Sequence, residues 1–189
     1  MTPPVRVLTV CTGNVCRSPA AGLLLTHRLG DDPEVLVTSA GTAAPEGSPV
    51  SGPIAALLRA DGIDPSGHRA RWLTAAEVRS ADLVLAMTKD HRSRAVSLFP
   101  AAVRRSFTLR EFARIVDAIP ATGIGGDTAA QRLRSLIAAA PFYRRGGEDD
   151  DIDDPYGLSA AVNAAIYAEI VESVDVITRA ILDPGPAAH

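Results

Sequence analysis

Residues 5–10, VRVLTV, form a short β-branched run that stops on Cys11, and TGNVC separates that thiol from Arg17, Ser18 and Pro19. This junction constrains the fold more than any other stretch. A buried strand runs into a Gly-containing loop, and Ser18 as N-cap with Pro19 in the first turn then starts a helix. That order opens a βαβ unit. The pattern recurs along the chain. EVLVTSAG reads as a second strand ending around Ser39, SGPIAALLRADGI as a short amphipathic helix with Gly62 at its C-cap, and ADLVLAM as a third buried strand. A helix stopped by Pro100 follows, then a brief strand through Phe107 and Leu109, a helix from near Arg110, and a long helix over 158–182. Such alternation predicts an α/β fold, with a parallel four-stranded sheet covered by helices on both faces.

A length of 189 residues suits one domain with a sizeable core. The expected organisation is a single domain over 1–189, with an insertion at about 120–147 and a frayed C-terminal tail at 183–189. The insertion holds a Gly-rich ATGIGGD, a helix-forming TAAQRLRSLIAAA and a basic YRRGG. Its plainest reading is a helix covering one sheet edge; a lid or substrate platform is the alternative. A net charge of −3 and a pI near 5.8 offer no bulk attraction for nucleic acid. No run of 18 apolar residues and no signal-peptide pattern is present, so no membrane insertion and a cytoplasmic location are expected. A reducing cytoplasm keeps both cysteines as thiols. His27, His68, His91 and His189 show no ligand spacing and neither cysteine joins a metal pattern, so no metal or other cofactor is expected.

Ligands in open α/β sheets bind beyond the carboxyl ends of strands, and Cys11 lies there. The following loop, Thr12, Gly13, Asn14, Val15 and Cys16, runs into a helix N-terminus and can turn its backbone N–H groups inward as a nest for an anion. Gly13 is expected to permit a positive φ there, and Asn14 tolerates left-handed geometry. That field favours a thiolate. Arg17 supplies a planar fork for two oxygens of a tetrahedral oxyanion, and Ser18 is placed to hydrogen-bond the sulfur. Together these parts describe a phosphate-binding loop after the first strand, with a nucleophile beneath the bound phosphorus. A buried structural cysteine is the competing reading, and Cys-x5-Arg-Ser between a strand and a helix argues against it. A nucleotide P-loop fits poorly, because the Gly-Lys-Ser/Thr ending is missing. Ester cleavage also needs a proton for the leaving oxygen, supplied by an acid on a mobile loop near the pocket. GEDDDIDDPYG offers several carboxylates and does not by itself choose one. Residues 148–151 within it read as a solvated acidic loop, lacking the alternating ligands of a calcium loop.

VCTGNVCRSP resembles the signature of the low-molecular-weight protein tyrosine phosphatases. TSAGT at 38–42, GIDPSGHRAR at 62–71, ADLVLAMTKDH and DDPYG at 153–157 resemble that family's later blocks, in the same order. The resemblance implies hydrolysis of phosphotyrosine through a cysteinyl-phosphate intermediate, with Cys11, Arg17 and Asp154 catalytic. Asp154, directly before the proline, would protonate the leaving oxygen and then activate water, with Asp153 helping to keep it protonated. Thr12, Gly13, Asn14, Val15, Cys16 and Ser18 would bind the phosphate, and Tyr156 would flank the phosphotyrosine ring. Asn14, Ser39 and His68 would support the loop. Cys16 matches a position that pairs with the nucleophile under oxidation, unless it is simply a small buried residue.

The implied partner is a phosphotyrosine protein, since bacterial relatives typically act on tyrosine kinases governing surface-polysaccharide export. Three departures bear on selectivity for phosphotyrosine. AAPEGSP carries no aromatic residue, Gly157 follows Tyr156, and Gly22 stands where a glutamate is common. Two other functions compete: a small-thiol-coupled arsenate reductase on the same fold, and an idle phosphoprotein-binding module. Asp154 favours ester hydrolysis over the first, because arsenate reduction has no alcohol to protonate. A binding module needs neither nucleophile nor acid.

Overall fold

The computed structural model describes residues 3–146 and 149–183. Four parallel strands, β1 (Val5–Cys11), β2 (Val35–Gly41), β3 (Leu83–Ala86) and β4 (Ser106–Thr108), lie in the order β2-β1-β3-β4. The register sets Cys11 beside Gly41, Val10 beside Ala86 and Ala86 beside Thr108, so the loop after Cys11 leaves from a central strand. The α-helices among the described residues are α1 (Arg17–Arg28), α2 (Gly52–Ala60), α3 (Ala75–Ser80), α4 (Lys89–Leu98), α5 (Leu109–Ala118), α6 (Ala129–Tyr143) and α7 (Ala160–Leu182).

Alternating side chains divide the core into two layers. Val7, Leu83, Leu85 and Phe107 pack with α1, α2, α5, α6 and α7 through Leu24, Ile54, Phe112, Leu133 and Ile170. Leu8, Val10 and Val84 face the other way, onto Val78 of α3 and Ala95 of α4. Burial on both faces explains why β1 and β3 read as nearly continuous aliphatic runs.

Several boundaries differ from expectation. Helix α1 begins at Arg17, with Cys16 at its N-cap and no side-chain cap. Ser18 therefore lies inside the first turn, where its hydroxyl is turned to Cys11 instead of capping the helix. β2 runs on to Gly41. Leu109 belongs to α5 rather than to β4, because Thr108 and Glu111 form a capping box there. Helix α3, with its own Thr74–Glu77 capping box, was not anticipated from the hydrophobic pattern.

The segment after Pro120 packs as a structural layer. Ala130, Leu133, Leu136 and Ala140 of α6 are buried in the larger cluster. Arg132 Nε donates to Ile181 O at 2.5 Å, at the far end of α7, and Arg134 donates to Pro3 O. Arg144 lies over the Phe107 ring, 4.2 Å from its centroid, and donates to Glu111 Oε1 and to Ser106 O on the free edge strand β4. These contacts put α6 in the helical layer over the larger cluster and Arg144 against the edge strand. Gly147, Glu148 and residues 184–189 of the expected tail lie outside the described residues. No helix among the described residues is long and apolar enough to cross a membrane.

Candidate active site

Cys11 ends β1 with 2% of its surface exposed. Its Sγ accepts the Asn14 backbone N–H at 3.2 Å and lies 3.0 Å from Ser18 Oγ. Asn14 Nδ2 donates to that same Oγ at 2.9 Å, and the one serine proton lies between the sulfur at 3.0 Å and the Ala40 carbonyl at 3.5 Å. The Asn14 amide donates to Sγ in either case, and the hydroxyl stands within reach as a second donor.

Asn14 is the hub of the loop. It is fully buried and sits at φ 53°, in the left-handed region. The positive φ expected at Gly13 falls here instead, because the loop needs a carboxamide at this point and asparagine tolerates the conformation. Asn14 Nδ2 also donates to Ser39 Oγ at 2.9 Å, Oδ1 accepts the Arg71 N–H at 3.0 Å, and the carbonyl bonds His68 Nε2 at 2.7 Å. The predicted supports Ser39 and His68 are therefore both brought to the loop. Burial lowers the His68 pKa, which keeps the ring neutral in this role.

Arg17 is held from two sides. Nη1 donates to Ile152 O at 2.8 Å and Nη2 pairs with Asp154 Oδ2 at 2.9 Å. Its Nε is buried without a hydrogen-bond partner. An orphaned donor on a buried guanidinium is costly, and this one belongs to a side chain that lines the same cavity as Cys11. Asp154 itself is half-exposed, and its Oδ1 accepts the Tyr156 N–H at 3.2 Å. Asp153 is exposed. Tyr156, 69% exposed, stands at the rim.

Cys11, Gly13, Val15, Arg17, Asp154 and Tyr156 share one cavity of about 240 Å³, with Thr12, Cys16, Ala43 and Pro45 completing its lining. Tyr156 is the one aromatic among those residues. Cys16 is buried and donates to Ser51 Oγ at 3.1 Å; burial pushes its thiol pKa up, and both cysteines are free thiols. Among the described residues, no group of three or more His, Cys, Asp or Glu side chains is placed to hold a metal ion.

The acidic run is not a solvated loop. Asp150 is 8% exposed and pairs with Arg114 at 2.8 Å, and Asp151 Oδ1 accepts the Lys89 N–H at 2.7 Å. Ile152 N–H donates to Met87 O at 2.9 Å, which ties the loop to the end of β3. Asp149, described and exposed, fits the solvated reading.

Two site residues escaped the sequence reading. A Cβ on Gly41 would stand 2.5 Å from Thr12 O and 3.0 Å from Asn14 N, so only glycine lets β2 approach the loop. The SAGT block was its only signal. His91 bonds Thr12 Oγ1 at 2.8 Å through Nε2, and a histidine three residues after the capping Thr88 gave no sign of that reach.

Comparison with known proteins agrees with this geometry. The family model described as Low molecular weight phosphotyrosine protein phosphatase matches residues 6–120. A protein-arginine-phosphatase of Geobacillus stearothermophilus is 40% identical over 139 residues, covering 71% of this chain and 92% of that protein. Low molecular weight protein-tyrosine phosphatase A of Mycobacterium tuberculosis is 41% identical over 127 residues, covering 62% and 76%. The solved low molecular weight protein tyrosine phosphatase from T. tengcongensis superposes with a TM-score of 0.68 at 32% identity, covering 91% of this chain and 96% of that one.

Proposed function

Since the chain belongs to the low molecular weight phosphotyrosine protein phosphatase family, a family of hydrolases, we propose that it hydrolyses phosphotyrosine in proteins through a phosphocysteine at Cys11. The observation that carries this reading is the buried Arg17, its Nε orphaned, sharing a cavity with Cys11 and Asp154. In the first step the Cys11 thiolate attacks phosphorus and the P–O bond to tyrosine breaks. Arg17 and the loop N–H groups hold the equatorial oxygens. A phosphate dianion at Arg17 competes with Asp154 for the guanidinium, and its charge favours the protonated carboxyl that the leaving oxygen requires. Asp154 gives up that proton, then takes one from the water that attacks the thiophosphate and releases Cys11. Ser18 and Asn14 stabilise the departing sulfur. The partner implied by the family resemblance is a bacterial tyrosine kinase of surface-polysaccharide export.

Hydrolysis of phosphoarginine is a second reading. It is favoured by the relative named protein-arginine-phosphatase and by a cavity with Ala43 and Pro45 where a second aromatic wall would stand.

Hydrolysis of an aryl phosphate by wild type, Cys11→Ser and Asp154→Ala tests the mechanism. Cys11→Ser should abolish turnover while still binding phosphate, and Asp154→Ala should slow it roughly 10²–10⁴-fold. Full activity in the serine variant would sink the mechanism. Comparing kcat/KM on matched phosphotyrosine and phosphoarginine peptides separates the two substrates.

A further inference from the structure

One buried titratable side chain beside the catalytic loop has no part in the mechanism above. His91, in the first turn of α4, is 8% exposed and is bonded at both ring nitrogens. Nε2 lies 2.8 Å from Thr12 Oγ1 and Nδ1 lies 2.9 Å from Thr88 Oγ1. We propose that His91 is a positioning residue for phosphoryl transfer to Cys11, fixing Thr12 through a Thr88–His91–Thr12 chain of side-chain hydrogen bonds. The proposal rests on the phosphatase reading and extends it to the outer limb of the loop.

The inner limb is held by Asn14 through Ser18, Ser39, His68 and Arg71. Thr12, next to the nucleophile, is exposed and lines the cavity. Its carbonyl is held by the Ala43 N–H at 2.9 Å, and its side chain is held by His91. An exposed threonine keeps rotamer freedom unless a rigid partner removes it, and a buried imidazole is such a partner.

The tautomer of His91 sets the direction of the chain. Thr88 Oγ1 accepts the His91 N–H as the helix cap, at 3.2 Å, and still has its own proton to give. In the tautomer protonated on Nε2, Thr88 donates to Nδ1, Nε2–H donates to Thr12 Oγ1, and the Thr12 proton is left for the cavity side; the other tautomer reverses both bonds and holds Thr12 in the same place. Burial, reinforced by the charge of Arg17, lowers the ring pKa to about 4, against the opposing pull of Asp154, Asp90 and Asp151. The chain therefore stays intact around neutral pH.

The test compares His91→Leu, His91→Gln and Thr12→Val on 4-nitrophenyl phosphate and on phenyl phosphate, whose leaving oxygen is more basic. Loss of one hydrogen bond predicts a roughly 3- to 10-fold fall in kcat/KM for His91→Leu. The fall should be equal on both substrates, because it acts on the attacking loop and not on the acid. Glutamine, whose amide nitrogen reaches the Nε2 position, should recover most of it. Thr12→Val reads the same bond from an exposed residue that does not endanger folding. It should lose at least as much, since valine also removes the hydroxyl that faces the cavity, and the double variant Thr12→Val/His91→Leu should lose no more than Thr12→Val alone.

Unchanged kcat/KM in His91→Leu and Thr12→Val overturns the proposal. So does a glutamine variant as impaired as leucine, additive losses in the double variant, or a loss that deepens on phenyl phosphate. Turnover retained by Cys11→Ser would instead refute the phosphocysteine mechanism beneath it, and no wild-type turnover of either ester would refute the phosphatase reading.

Discussion

Replacing His91 with glutamine should flatten the protein's stability between pH 7 and pH 5. The ordinary histidine pKa is 6.5, and in the folded protein burial, then the charge of Arg17, brings it down to about 4. Above pH 6.5 the ring is neutral in both states and contributes nothing. Below it the unfolded chain takes up a proton that the folded chain refuses, so stability falls with pH until the folded pKa is reached. Each pH unit in that window is worth about 1.4 kcal/mol. Between pH 7 and pH 5 the group therefore costs the wild type about 2 kcal/mol. The ring is only 8% exposed, so solvent screening reduces this little. His68, whose pKa is also lowered, acts in the same sense but is common to both proteins and cancels in the difference. Urea unfolding of both proteins at pH 7 and pH 5 measures it. The wild type should lose about 2 kcal/mol more than His91→Gln, whatever the offset between them at pH 7. Two parallel pH profiles would mean that the ring titrates alike in both states, and the argument from burial would be wrong.

Two further outcomes are expected. Iodoacetamide at neutral pH should label Cys11 well before Cys16, whose buried thiol has a raised pKa; peptide mass spectrometry would show equal labelling if that account is mistaken. Gly41→Ala forces a Cβ within 2.5 Å of Thr12 O, and should destabilise the protein by about 1–3 kcal/mol while lowering kcat at least about tenfold. Unaltered turnover there would show that the loop yields without losing its geometry.

What could be read in advance divides along physical lines. The clustering of the Cys11 thiol, the Arg17 guanidinium and the Ser18 hydroxyl was legible because a nest for an anion at a strand–helix junction needs consecutive residues. Their spacing is itself the chemistry. The same demand misled the capping argument: Ser18 looked like an N-cap, yet its oxygen serves Cys11 and the helix starts uncapped. Asn14 and Gly13 were both plausible carriers of the positive φ, and only the four partners gathered around Asn14 decide between them. The roles of Gly41 and His91, and of the Arg71 amide and the Ile152 carbonyl as main-chain partners, went unread for another reason. They act through tertiary approach or main-chain atoms, which no side-chain pattern records. Asp150 and Asp151 looked solvated because their partners, Arg114 and the first amide of α4, lie 36 and 62 residues away.

The tether at Ile152 changes how proton delivery would work. Its N–H is bound to Met87 O and its carbonyl to the guanidinium that is to grip the phosphate, two residues before Asp154. An acid carried on a swinging flap must be ordered afresh in every cycle. Here that entropy is surrendered once, when the chain folds. If the tether holds through the cycle, turnover needs no separate closing step, and its rate should be nearly indifferent to solvent viscosity until product departure intervenes. A site without a closing flap also forgoes the discrimination that closure provides. On the phosphatase reading, selection then falls to depth and to Tyr156: a phosphate ester has to be slender and long enough to carry its phosphorus past that ring down to the buried sulfur.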